Sequence, residues 1–159
     1  MPSYFDVLAQ TLRTNYETDT SKQYFLSSAP QCPFPDASDP LSMLLLCDFV
    51  WVQFYNNPGC QIGSAGFDDS LRQWSTALES SSLPSKTKLY VGAPAFAAAG
   101  QSAYAAIGSA QGMQTVVNEV ESLGLSNMGG VMFWDGPEGM LNTENGKDII
   151  AWAKAGLTA

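Results

Sequence analysis

Chemistry in this chain has to be built without histidine. None occurs among its 159 residues, which excludes Ser-His-Asp and Cys-His mechanisms within the chain and the histidine-containing metal sites. What remains is carboxylates, tyrosine, lysine, side-chain amides and whatever group a substrate brings. One stretch spaces such groups usefully. In FVWVQFY, the residues Phe49, Trp51, Gln53 and Tyr55 alternate, so in a strand they share a face. The two with polar atoms to offer, Gln53 and Tyr55, come at its C-terminal end. A second apolar run, GVMFW, ends on Trp134 and is followed by Asp135 and Glu138. That acid pair suggests general acid and base work, but Asp-Gly-Pro-Glu-Gly is turn sequence and predicts a solvated loop. Asp68 and Asp69 predict the favourable negative charge of a helix N-terminus. The cysteines are Cys32, Cys47 and Cys60. They allow one disulfide and one free thiol in any of three pairings, or three buried thiols, and none forms a C-x-x-C motif.

The elements that must position these groups alternate between helix and strand. Phe5, Leu8 and Leu12, with Val7 nearby, predict a helix over Tyr4–Tyr16, with Ser3 as N-cap and Asp6 three residues on. Gln23–Ala29 predicts a strand, stopped by Pro30. The segment APQCPFPDASDP is a loop, and Leu41–Leu46 is one or two helical turns. Phe49–Phe54 is the strongest strand signal, ended by Asn56-Asn57-Pro58-Gly59. Leu71, Trp74 and Leu78 predict a helix over Asp68–Ser80. Lys88–Ala93 is a strand, Ala95–Gly112 a long Ala/Gly/Ser loop in which an internal helix stays open, Met113–Leu123 an amphipathic helix, Gly130–Trp134 a strand and Asp148–Ala155 a last helix. Strands this apolar on both faces imply a parallel sheet covered by helices, and so the α/β class.

Composition narrows the function classes. Lys+Arg 7 against Asp+Glu 15 gives a net charge of −8, which opposes nucleic-acid binding, since phosphate contacts need clustered cations. Apolar residues at 45% and aromatics at 11% describe a globular chain. No apolar run reaches the ~18 residues of a membrane span, and MPSYFDVLAQ has neither the basic nor the apolar region of a signal peptide. The length suits one domain but is short of the ~250 residues of a full (β/α)8 barrel.

Four strings occur in a telling order: SSAPQCPFPDAS, CDFVWVQFYNNPGCQ, KLYVGAPA and GGVMFWD. Together they resemble the C-terminal half of the plant and fungal class III chitinases of glycoside hydrolase family 18, from about Tyr4 to about Trp152. The resemblance implies a partial TIM barrel comprising strands five to eight, with residues 1–159 as the C-terminal half of the catalytic domain. It implies an endochitinase chemistry on chitin or chito-oligosaccharide, in a family that is usually extracellular, with no cofactor and no metal. Catalysis in that family is substrate-assisted and retaining. A Glu protonates the glycosidic oxygen while the substrate's own acetamido carbonyl attacks the anomeric carbon, giving an oxazolinium ion that water then opens.

The resemblance also assigns residues. Tyr55 matches the tyrosine that hydrogen-bonds the acetamido oxygen, Gln53 a sugar-binding glutamine, and Trp134 the apolar floor beneath the reacting sugar. Read without the motifs, Tyr55 is a strand-end tyrosine with a satisfied hydroxyl and Trp134 a core tryptophan. Cys32 and Cys60 match a family disulfide between the loops after two successive strands, leaving Cys47 as a buried free thiol. The D-G-x-D-x-D-x-E motif that carries the family's acid does not occur in the 159 residues, and would fall just before Met1. Three expectations follow. The chain acts as an endochitinase half that needs its other half, it is a catalytically inactive saccharide-binding or inhibitor-like relative, or it is a gene fragment without function. A half barrel would also expose two strand edges and an inward face, predicting poor solubility or self-association.

Overall fold

Strand β2 (Phe49–Gln53) organises the molecule, for a reason visible in its alternation. Val50 and Val52, with Phe54 just beyond, are completely buried, while Phe49, Trp51 and Gln53 are half-buried. β-Branched and aromatic residues suit such a two-sided pleated surface. In the computed structural model, which describes residues 4–158, β2 pairs in parallel with β1 (Ser27–Ser28) and with β3 (Lys88–Pro94). β3 pairs in parallel with β4 (Met128–Trp134), so the sheet order is β1-β2-β3-β4. Parallel neighbours in chain order require crossovers, and helices supply them.

Helix α1 (Phe5–Glu17) precedes β1, and the single turn α2 (Leu41–Leu44) lies between β1 and β2. α3 (Phe67–Leu78) links β2 to β3, while α4 (Gln101–Ile107) and α5 (Gly112–Ser122) lie between β3 and β4. After β4 come α6 (Gly136–Leu141), a small hairpin of β5 (Thr143–Glu144) and β6 (Lys147–Asp148), and α7 (Ile149–Leu157). The core lies between the Val50–Val52 face of the sheet and these helices. Leu71 and Trp74 of α3, Val91 of β3 and Val117 of α5 have essentially no exposed surface. Arg13 fastens α1 to this core. Its guanidinium donates to the Leu46 carbonyl oxygen and pairs with Asp48 at 2.7 Å, and Asp48 also accepts the Leu26 N–H at 2.8 Å.

Several expectations need correction. The strand expected over Gln23–Ala29 is reduced to Ser27–Ser28. Tyr24 instead stacks on Tyr16 of α1 with ring centroids 4.9 Å apart and donates its hydroxyl to Asp19, which draws this segment onto the helix. Within Ala95–Gly112 the internal helix left open by the sequence is present, as a 3-10 turn (Ala97–Ala99) followed by α4. Asp135-Gly-Pro-Glu-Gly is not a solvated loop. Asp135 caps α6 by accepting the Glu138 N–H at 3.2 Å, and Pro137 suits the first turn. α1 takes Tyr4 as its N-cap residue without a side-chain cap, and the expected Ser3 cap lies outside the described residues. No helix among the described residues is long and apolar enough to cross a membrane.

Candidate saccharide cleft

The C-terminal ends of β2, β3 and β4 lie side by side, and their side chains decide what opens there. Gln53 pairs with Gly92, and Gly92 with Met132, so one row of residues crosses three strands. Gly92 leaves the middle of the row low. A Cβ there would come within 2.6 Å of the Val52 carbonyl oxygen and 3.0 Å of Met132 Cε. The result is a cleft of about 350 Å³ lined by Ala29, Gln53, Tyr55, Asn56, Ala99, Met132 and Trp134. Gln53, Tyr55 and Trp134, the residues to which the resemblance assigns roles, thus share one concavity.

Each is presented differently. Tyr55 follows β2 and is buried, and burial pushes its hydroxyl above the ordinary tyrosine pKa. Among the described residues no protein group hydrogen-bonds that hydroxyl, and it is not one of the fully enclosed unpartnered atoms. It is therefore a neutral donor with a free proton, held by its ring. Gln53 donates Nε2–H to the Ala29 carbonyl oxygen at 2.6 Å. Trp134 ends β4 with 59% of its surface exposed, an indole face offered to solvent at the cleft rather than a core tryptophan. The peptide between Trp134 and Asp135 is cis.

Two further contacts shape the rim. Asn56 adopts a left-handed conformation, φ 62°, which asparagine tolerates better than most residues. Its Nδ2 donates to the Ala99 carbonyl oxygen at 3.3 Å and so ties the end of β2 to the 3-10 turn. Gly100, next in that turn, packs on the tyrosine, since a Cβ there would fall 2.9 Å from Tyr55 Cβ. Asn56 and Met132 were not singled out from the sequence. Met132 could have been found by strand alternation from Trp134. Asn56 reads only as a turn residue until the fold brings Ala99 to it.

The disulfide joins Cys32 to Cys60, with Cα atoms 5.8 Å apart and a separation of 28 residues. It links the loop after β1 to the turn after β2. Cys47 is a buried free thiol, and desolvation pushes its pKa up to about 12 against the opposing pull of Arg13. Asp68 and Asp69 sit in the first turn of α3, where the helix dipole favours them. A wider groove of about 490 Å³ between α1 and α2, edged by Asp6, Gln10, Thr11 and Ser42, lies away from the strand ends. Among the described residues no group of acidic, cysteine or histidine side chains is arranged to hold a metal.

No family model matches the chain. Comparison with known proteins gives relatives of one kind. The chain is 37% identical over 144 residues to "Endochitinase 3" of Metarhizium robertsii, covering 91% of this chain and 43% of that protein. Its fold matches a xylanase and α-amylase inhibitor protein solved with trehalose, at a TM-score of 0.73 and 25% identity over 99% of this chain and 52% of the other. It also matches a family 18 chitinase of Pseudoalteromonas aurantia, with TM-score 0.59 and 25% identity, over 96% of this chain and 52% of that one. The chain therefore spans about half or less of the proteins it matches. Across nearly all of its own length, it is a homologue of the fungal, yeast and plant endochitinases.

Proposed function

We propose that this chain forms the C-terminal half of a glycoside hydrolase family 18 catalytic domain and supplies one wall of a chitin or chito-oligosaccharide cleft. The carrying observation is the convergence of Gln53, Tyr55 and Trp134 on one concavity, with the Tyr55 hydroxyl unclaimed by protein. In this reading Trp134 offers an apolar face to the C–H groups of a pyranose. Gln53 binds a sugar polar group. Tyr55 donates to the acetamido oxygen as that group develops charge, which stabilises the transition state more than the ground state.

The general acid belongs to the D-G-x-D-x-D-x-E motif, which these residues do not contain. Hydrolysis of β-1,4-N-acetylglucosamine linkages is thus an activity of the complete domain, with strands β1 to β4 as the fifth to eighth of a TIM barrel. Exposed apolar side chains support this. Tyr4, Val7, Leu8 and Phe25 precede β1 in the chain, while Met140, Leu141, Ile150 and Leu157 follow β4. A first half of the barrel, or failing that a second copy of this chain, would cover both borders. An extracellular setting fits the disulfide, which oxidising compartments preserve.

A second reading is a saccharide-binding relative without turnover. It is favoured by the likeness to an inhibitor protein solved with trehalose and by a cleft lined without any carboxylate. Calorimetric titration with chitotetraose, combined with a fluorogenic chito-oligosaccharide assay, separates the readings. The chain should bind and not cleave alone, and should cleave only when joined to a first half bearing the acid motif. Binding that stays without turnover in that joined protein supports the second reading. Cleavage by the chain alone overturns the assignment of the acid, and absence of binding overturns both.

A further inference from the structure

Three side-chain amides beside the cleft form one chain of hydrogen bonds. Asn57 Nδ2 donates to Gln31 Oε1 at 2.6 Å, Gln31 Nε2 to Gln53 Oε1 at 3.2 Å, and Gln53 Nε2 to the Ala29 carbonyl oxygen at 2.6 Å. Asn57 Nδ2 also donates to the Tyr55 carbonyl oxygen at 3.2 Å. An amide group can usually turn over and exchange its donor and acceptor ends. Here it cannot do so without losing bonds. Both ends of the chain meet backbone carbonyl oxygens, which only accept. Ala29 requires a nitrogen from Gln53, and Tyr55 requires a nitrogen from Asn57. Between them Gln31 satisfies both neighbours in one orientation only.

We propose that Gln31 is a positioning residue that fixes which end of the Gln53 amide faces the cleft. This rests on the saccharide reading of the cleft only for its binding consequence. The relay leaves Gln53 one N–H and one oxygen lone pair for a ligand, in a set order. The fold supports the relay from both sides. Gln31 pairs with Gln53 as an isolated parallel bridge, and its backbone N–H is held by Asp36 at 2.8 Å. The disulfide joins Cys32, beside Gln31, to Cys60, whose N–H bonds to the Asn57 carbonyl oxygen at 3.1 Å. The segments bearing Gln31 and Asn57 are therefore tied covalently.

The test is Gln31→Glu, an exposed and nearly isosteric change. At neutral pH the new carboxylate can still accept from Asn57 but cannot donate to Gln53, so the relay breaks. Protonation at low pH restores one donor and one acceptor, and with them the relay. Asp36, which holds the Gln31 backbone N–H, is present in the parent protein and the variant alike, so the parent serves as the control. Chitotetraose affinity at pH 7 should fall roughly three- to tenfold, as for loss of one or two hydrogen bonds. The gap should close to within about twofold near pH 3.5. Asn57→Asp should weaken affinity similarly at pH 7. The Gln53 side-chain NH2 resonances should shift in Gln31→Glu at pH 7 and return at low pH, with no ligand present. Unshifted resonances, or a shift that persists at low pH, would overturn the proposal. If the parent chain fails to bind chitotetraose, the saccharide reading fails while the resonances still decide the relay.

Discussion

The indole Nε1–H of Trp74 donates to the carbonyl oxygen of Cys32 at 2.9 Å, so the core of α3 holds the disulfide loop directly. Ser70 donates to the same oxygen at 2.8 Å, and Phe34 meets the Trp74 ring edge-on at 5.0 Å. Trp74→Phe keeps an aromatic ring but loses the donor and part of the volume. It should cost about 1–3 kcal/mol, read as a lower midpoint in urea unfolding. Cys60→Ser, which opens the loop closed by the bridge, should cost about 3–4 kcal/mol in the chain-entropy account. An unchanged midpoint in Trp74→Phe would show that α3 does not hold this loop, and an unchanged midpoint in Cys60→Ser that the bridge adds nothing to that hold.

Tyr55→Phe separates binding from chemistry. The hydroxyl has no protein partner among the described residues, so its removal should leave thermal stability nearly unchanged, within about 0.5 kcal/mol. In a complete domain carrying the acid motif, kcat should fall about 10²–10³-fold with little change in KM, as for loss of one transition-state donor. A parallel rise in KM would instead make Tyr55 a ground-state binding residue.

What the sequence disclosed and what it hid divide along physical lines. α3, α5 and α7 announce themselves because burial on one face imposes a period on their residues, as at Leu71, Trp74 and Leu78, while β2 and β3 do so as short apolar runs rich in β-branched and aromatic residues. Gln53 and Tyr55 could be nominated because strand alternation and motif agreed on them, whereas Trp134 rested on the motif alone. α4 could be given no bounds because an Ala, Gly and Ser stretch carries almost no hydrophobic period, and its order comes from contacts such as Asn142 Nδ2 to the Tyr104 hydroxyl at 2.7 Å. β1 was overdrawn because the stacking of Tyr24 on Tyr16 cannot be read from a local window. The amide relay was invisible for the same reason: Gln31 and Gln53 are 22 residues apart and meet only in the fold.

Gly100 sets how closely the turn after β3 approaches the tyrosine. A Cβ at this position would lie 2.9 Å from Tyr55 Cβ and 3.3 Å from Pro94 Cβ, tighter than packed carbons allow. Gly100→Val should force the turn outward, lengthen the Asn56–Ala99 bond and widen the cleft. The expected cost is about 1–3 kcal/mol of stability, with a several-fold loss of chito-oligosaccharide affinity by calorimetric titration. Retained affinity would mean the turn does not shape the binding surface.

Cys47 gives the molecule a buried group with a readable pH signature. Its thiol lies under α2, near the Met43 carbonyl oxygen and sulfur, and burial raises its pKa to about 12. In the unfolded chain an ordinary thiol ionises at about 8.5. The folded-state pKa is the higher one, so this contribution to stability is complete below about pH 8.5. It declines as pH rises toward 12, because the unfolded state loses its proton first. Two measurements follow. Under native conditions at pH 8, iodoacetamide should label Cys47 only at the rate of unfolding, since thiolate, the reactive form, is suppressed. Between pH 8.5 and 10.5, Cys47→Ala should show a shallower decline in urea midpoint than the parent chain. Equal slopes would assign the alkaline loss to other groups, with the raised pKa of Tyr55 acting in the same direction but only above the ordinary tyrosine range near 10.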